Sequence, residues 1–502
     1  MRRCFFTFVI VLVANGFAAV SAKDRFETLK QDIPTLLEEG YIPGFALAVL
    51  EEGVPVWHSY FGKTNVESGE TVNDKSVFQA ASLTKPVFAY MCLRLVDRGL
   101  LNLDKPLVQY LPYERLAHEP RAKKITARLV LSHQTGLPNW GDEKLELNFD
   151  PGTSFNYSGE GYVFLQRVLE KLTGMDLPQL ARQEVFVPLG MSRSMLTVGE
   201  EDLDQLAFGH NEWGGDPGRR TWTDANAASS LHTTASDYAR FLQAAYRGTG
   251  LSEKSRREMF RHQVQVINRG NSPKGQKVIQ HVFWALGWGI SKNEGTTHAW
   301  HWGDNGRYKA LTAINLENGN GFVYFANGNE GLSIAKDITA KLGVDKPWFV
   351  DWIDYRPYNA PGRKASIEGD RFAAEGKWSD AIASLKQAAG ESGDAEGYSK
   401  RIEWLEALAK VAKAPKSIDP QKVSAFLGQY GPRKLFMDQG QFSYQREGNS
   451  AYRLIQLSEH LFALDGLYWF RLEVELNSEG EPIALLGHYL NGNSDRSPRD
   501  GL

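Results

Sequence analysis

Cysteine is almost absent from this chain: 502 residues contain two, Cys4 and Cys92. Cys4 falls in a segment expected to be removed, so an intrachain disulfide is excluded, and Cys92 inside an apolar helix reads as core packing rather than a reactive thiol. Long apolar runs are missing as well. The longest, FFTFVIVLV (Phe5–Val13), has nine residues, too few to cross a bilayer. Neither sign of charge dominates, with 57 Lys and Arg against 60 Asp and Glu for a net charge of −3. That balance argues against nucleic acid as a partner. No Gly-x-Ser-x-Gly occurs, so a nucleophile elbow of the α/β-hydrolase type is not available.

What is present begins with an export pattern. Arg2 and Arg3 precede the apolar run, and Val20-Ser21-Ala22 supplies small residues at a cut. Residues 1–22 therefore read as a secretory signal, and the mature chain as periplasmic or secreted with no transmembrane anchor. Cys4 lies ahead of the apolar core, which makes it a poor lipid-attachment site. Cleavage removes Arg2, Arg3 and no acid, taking the net charge from −3 to −5. Hydrophobic residues make up 42% and charged residues 23%, as in an ordinary globular protein.

The length allows two or three domains. Residues 23–344 mix patterns. DRFETLKQDIPTLLEEG reads as an amphipathic helix and GFALAVL-EEG-VPVWHSYFG as a strand hairpin. ITARLVLSHQTG, GYVFLQRVLEKLTG and TASDYARFLQAAYRG read as long helices, each ending in a glycine that can cap it. Strands return at HAWHWG, YKALTAINL and GFVYFANG, and GLSIAKDITAKLG closes with a helix. Strands at both ends with helices between predict an α+β fold, one antiparallel sheet flanked by helices. Residues 345–365 are rich in proline and aromatics and read as a linker; 366–415 read as helical, with AAEGKWSDAIASLKQA resembling half a tetratricopeptide unit. From 416 to 502 short alternating runs such as QFSYQR and YWFRLEVEL predict a small β-barrel-like domain.

One stretch stands out. In AASLTKPVFAYMCLRLV (Ala80–Val96) a lysine follows a serine by three residues at the head of an otherwise apolar helix. Pro86 belongs in a first turn, so the helix starts near Ser82–Lys85. Burial and the positive end of the helix dipole both disfavour an ammonium there, which leaves Lys85 able to take a proton from Ser82. The spacing alone is not decisive, because Ser333 and Lys336 repeat it and Ser82 could be a helix cap.

Two further elements follow in order. NYSGEGY places Tyr157 before a helix, and HAWHWGDNGRY places His301-Trp302-Gly303 on a strand. Gly303 on such a strand would let a substrate backbone approach the edge. Plain structural readings exist for each: Ser158 as a cap, Tyr157 as core, Trp302 packed on the sheet. His298 and His301 are three apart, on opposite faces of a strand, which speaks against a metal pair.

Ser82-Leu-Thr-Lys85, Tyr157-Ser-Gly159 and His301-Trp-Gly303 resemble the three motifs of the serine β-lactamase-related superfamily. That group includes class C β-lactamases, penicillin-binding D,D-peptidases, D-aminopeptidases and family VIII esterases. LVLSHQTGLP, PGTSFNYSGEGY, PLGM and SLHTTASDYARF also resemble its segments. The C-terminal part resembles the lipocalin-like domain that some of these hydrolases carry. The resemblance implies Ser82 as nucleophile, Lys85 as base and Tyr157 as proton shuttle. It also implies an oxyanion hole from the N–H groups of Ser82 and Asp304, and no cofactor or metal. His301 stands where many members have lysine, and would orient a substrate carboxylate or stabilise developing charge. His133, ahead of Gln-Thr-Gly, is implied to be structural.

This chain departs from that pattern at Gly159, where the family's Tyr-x-Asn carries the asparagine that helps hold a substrate amide. The expected function is thus an exported serine hydrolase forming an acyl-enzyme with small acyl esters or short D-amino-acid peptides. A D,D-peptidase, a β-lactamase and a cell-wall peptide-binding protein are the alternatives. The C-terminal module is a candidate surface for oligomer formation.

Overall fold

The computed structural model describes residues 22–266, 273–413 and 419–501. The signal expected over residues 1–22 falls, but for Ala22, outside these described residues. Ten strands arise before residue 330: β1 (Gly44–Glu51), β2 (Val54–Gly62), β3 (Phe78–Ala81), β4 (Leu231–Thr233), β5 (Val264–Gln265), β6 (Val282–Trp284), β7 (Gly289–Asn293), β8 (Thr296–Asp304), β9 (Lys309–Asn315) and β10 (Gly321–Ala326). Eight of them form a sheet in the order β2-β1-β10-β9-β8-β7-β6-β5, while β3 and β4 pair apart from it. Every pairing in this sheet is antiparallel. The α+β expectation of a helix-flanked antiparallel sheet is met.

Strand β1 shows why both faces are covered. Side chains alternate across a strand. Ala46, Ala48 and Leu50 enter one core, with the helices Thr84–Asp97, Gly159–Thr173 and Ala235–Arg247. Phe45, Leu47 and Val49 enter a second, beneath Ala22–Glu39 and Trp348–Ile353. The small alanines admit the larger helical layer close to the sheet.

One local expectation needs correction. ITARLVLSHQTG is not a long helix; only Ala127–Leu131 is helical, capped by the Thr126 side chain. The chain leaves it through His133 (φ 57°) and Gly136 (φ 81°), both left-handed. A Cβ at Gly136 would lie 2.4 Å from the Phe149 carbonyl oxygen, so that turn admits no larger residue.

The remainder builds three successive helices, Arg363–Ala374, Trp378–Ser392 and Ala395–Lys413. They share a small alanine-rich core that also takes in Ala463. Eight strands between Gly428 and Pro498 then follow in simple meander order. The Asp500 N–H donates to the Gln429 carbonyl, so the last strand returns beside the first and the sheet is nearly closed, as expected. Phe462, Leu472 and Leu485 fill its interior. Among the described residues no helix is long and apolar enough to cross a membrane.

Candidate active site

From Ser76 to Leu93 every residue except Ser82 is buried. Ser82 sits in the turn between β3 and the helix Thr84–Asp97, after Ala81 at φ 48°. A left-handed non-glycine residue costs about 1–2 kcal/mol, and here it turns the Ser82 side chain out of the core. The helix is capped at Leu83 with no side-chain bond, so Ser82 is not its cap. Thr84 fixes the turn: its hydroxyl donates to the Ala81 carbonyl at 2.6 Å and accepts the Leu231 N–H at 3.0 Å.

Lys85 is 1% exposed. Its Nζ lies 3.1 Å from Ser82 Oγ and 2.9 Å from the carbonyl oxygen of Ala228. Burial alone holds its pKa well below the ordinary 10.5, which favours the uncharged form whose lone pair can take the serine proton. The second Ser-x-x-Lys makes no such pair, because Ser333 is buried and Lys336 exposed. Ala228 belongs to a loop held from the helix Gly159–Thr173: Gln166 accepts the Ala227 N–H at 2.9 Å and donates to the Ala225 carbonyl at 3.1 Å.

The Tyr157 ring centroid is 4.6 Å from Lys85 Nζ. Burial pushes its phenol pKa up, partly offset by the Ser82 hydroxyl beside it. At neutral pH Tyr157 is therefore a phenol, a proton donor rather than a phenolate base. Its Oη is buried and completes no hydrogen bond among the described residues. The ring is set by packing, 4.2 Å from His133 and 5.0 Å from Trp302 between centroids. His133 Nδ1 accepts the Ser158 N–H at 3.0 Å, so this histidine positions the segment that carries Tyr157. Trp302 backs the tyrosine and Trp352.

His301 is fully buried, and its ring lies within the same cluster, 6.2 Å from that of Tyr157. Burial above all lowers its pKa to about 3. It is a neutral imidazole at physiological pH, not the cation that a carboxylate contact requires. His298 faces elsewhere, toward Phe349.

Gly303 sits where two segments of backbone come close. A Cβ there would lie 2.4 Å from the Ala80 carbonyl oxygen; what approaches is the protein's own backbone, just ahead of Ser82. Strand β8 thus runs directly alongside β3. The Asn305 N–H donates to the Tyr308 carbonyl across the hairpin. By the antiparallel alternation, the Asp304 N–H points away from β9. On that side β7 has already ended, at Gly289 opposite Trp300. The Asp304 carboxylate is tied down separately by Lys309, the Gly306 N–H and the Tyr355 hydroxyl.

Gly159 begins the helix behind Tyr157. A Cβ there would meet the Trp140 ring at 2.6 Å and the Asn139 carbonyl at 2.9 Å. The space a side chain would use is taken by an indole that is itself 52% exposed. Sequence reasoning did not single out Trp140, Gln166 or Ala228; nothing in their local sequence marks them, and only long-range contacts bring them to the site.

The Beta-lactamase family model matches residues 29–345. The chain belongs to the Beta-lactamase family. This Beta-lactamase-family chain is 29% identical over 283 residues to penicillin-binding protein 4 of Amycolatopsis lactamdurans, covering 53% of this chain and 68% of that protein. It is 26% identical over 298 residues to penicillin-binding protein 4* of Bacillus subtilis, covering 49% of this chain and 64% of that one. It therefore spans somewhat under two-thirds of the latter's length. The crystal structure of D-alanine carboxypeptidase AmpC from Burkholderia cenocepacia has the same fold. It superposes with a TM-score of 0.53 at 20% identity, over 64% of this chain and 99% of that chain.

Proposed function

We propose that this chain is an exported serine hydrolase working through an acyl-enzyme on Ser82, with small acyl esters or short D-amino-acid peptides as substrates. The observation that carries the reading is the 3.1 Å contact between Ser82 and a buried Lys85 whose pKa that burial lowers. Ser82 Oγ attacks the scissile carbonyl while its proton passes to Lys85 Nζ. The developing oxyanion is taken by the N–H groups of Ser82 and Asp304. Tyr157, protonated and beside both groups, gives a proton to the leaving group and recovers one through Lys85. Water then attacks the ester of Ser82 by the same route and releases the acid. Export is part of the proposal and rests on Arg2, Arg3 and the apolar run that follows.

A second reading, hydrolysis of cell-wall D,D-peptides or β-lactams, draws on the names of the relatives. The indole over Gly159 weighs against it, because no side-chain amide stands at that position.

The test is intact-mass measurement after exposure to p-nitrophenyl esters, D-amino-acid peptides and penicillins. A mass increase equal to one acyl group, absent from Ser82→Ala, is expected with the esters or peptides. No adduct with any compound, together with equal p-nitrophenyl butyrate turnover by wild type and Ser82→Ala, overturns the proposal.

A further inference from the structure

We propose that a cavity lined by Gln79, three residues ahead of Ser82, and walled by Arg219, Arg220 and Arg307 is an anion subsite that seats a carboxylate at the far end of the substrate's acyl group. The inference rests on the hydrolase reading and narrows its substrate class. The cavity measures about 470 Å³, and none of the residues lining it carries a carboxylate. Three guanidinium groups in one such space stand out in a chain with more acids than bases.

The arginines are not equivalent. Arg307 pairs with Asp216 and Arg219 with Asp204, both from outside the cavity. Among the described residues no carboxylate pairs with Arg220, whose guanidinium lies 4.5 Å from the Trp222 ring centroid. A guanidinium held over an indole face is positioned by it while its N–H donors stay available. A carboxylate accepts two parallel N–H bonds from such an edge. Trp222 and Tyr308, also in the wall, offer an apolar bed for the methylenes leading to it.

The cavity also borders the two chain segments that carry Ser82 and Asp304. Gln79 lines it and stands three residues before Ser82 on extended β3, within about 10 Å along the chain. Asn305, another lining residue, follows Asp304. Its amide donates to Gln79 Oε1 and to the Ser229 carbonyl, both at 3.2 Å, next to the Ala228 carbonyl that holds Lys85. A carboxylate a few bonds beyond the scissile carbonyl, together with the reach of an arginine side chain, spans that gap. The neutral state of His301 leaves these arginines to supply the positive charge.

Two esters of equal acyl length test this: the p-nitrophenyl monoester of glutarate, which is anionic, and p-nitrophenyl valerate, which is neutral. Wild type should show kcat/KM at least tenfold higher on the glutarate ester, an advantage that shrinks with added salt. In Arg220→Gln/Arg307→Gln the ratio should fall toward one, and Arg220→Gln alone should lower it. No preference in wild type, or a ratio unchanged in both variants, overturns the subsite. Should neither ester turn over, the hydrolase reading fails and calorimetry with glutarate decides. Binding by wild type that the double variant loses keeps the subsite; no binding by wild type overturns it.

Discussion

The ring of Trp140 occupies the volume that a side chain at position 159 would need, with a Cβ placed there 2.6 Å from the indole Cη2. The two positions form one unit: the glycine creates a gap at the head of the helix and the indole closes it with an apolar surface.

That unit predicts a non-additive pair. Gly159→Asn must push the indole aside and crowd the Asn139 carbonyl, so kcat/KM for p-nitrophenyl butyrate should fall about tenfold. Adding Trp140→Ala should recover part of that loss. A double-mutant cycle reads the coupling, expected at about 1 kcal/mol or more. Additive losses would show that the indole does not govern position 159.

Lys85 has a stability signature as well as a kinetic one. Its folded pKa lies below the ordinary 10.5, so the unfolded chain binds a proton that the folded chain does not. The folded protein therefore loses stability as pH falls below 10.5 toward the depressed value, by up to about 1.4 kcal/mol per pH unit. Lys85→Met removes that dependence. Urea unfolding of both proteins from pH 10.5 to 7 should show the variant gaining on wild type as pH falls, while its hydrolytic rate drops at least a thousandfold. Parallel stability curves would mean an ammonium in the resting site.

His301 titrates at about 3 instead of 6.5 because it is buried. Its contribution to stability is complete above pH 6.5 and is lost as pH falls through 3. His301→Gln should accordingly weaken acid unfolding in that window. No limb of the kcat/KM profile near pH 6.5 should disappear in the variant. A lost limb there would identify His301 as a titrating participant.

Tyr355 reaches from the segment after the family-matched domain to the Asp304 carboxylate, and so holds the residue whose N–H is proposed to take the oxyanion. Tyr355→Phe should lower kcat by roughly three- to tenfold with KM little changed, less than the hundredfold or more of deleting an oxyanion donor outright. A KM effect alone would place Tyr355 in substrate binding.

The strand hairpin at Gly44–Gly62, the apolar helix after Ser82 and the C-terminal meander were legible in residue order, because alternation, helical spacing and turn residues act over a few positions. The pairing of Ser82 with Lys85 was legible for the same reason: three residues on a helix are neighbours. The false long helix at ITARLVLSHQTG shows the limit of that reasoning. Its apolar spacing is real, but His133 and Gly136 bend the chain so that His133 can support the segment of Tyr157.

Residue order thus dictated which groups the proposed reaction can draw on: a hydroxyl, an amine one turn away, and a phenol and an imidazole further along. It did not dictate their protonation or their company. Ala228 lies 143 positions from Lys85, and Trp140 covers Gly159 from another loop. Whether Lys85 and His301 carry charge depends on how completely water is removed around them. That is a property of packing in three dimensions, summed over contacts between distant parts of the chain, which no local pattern records.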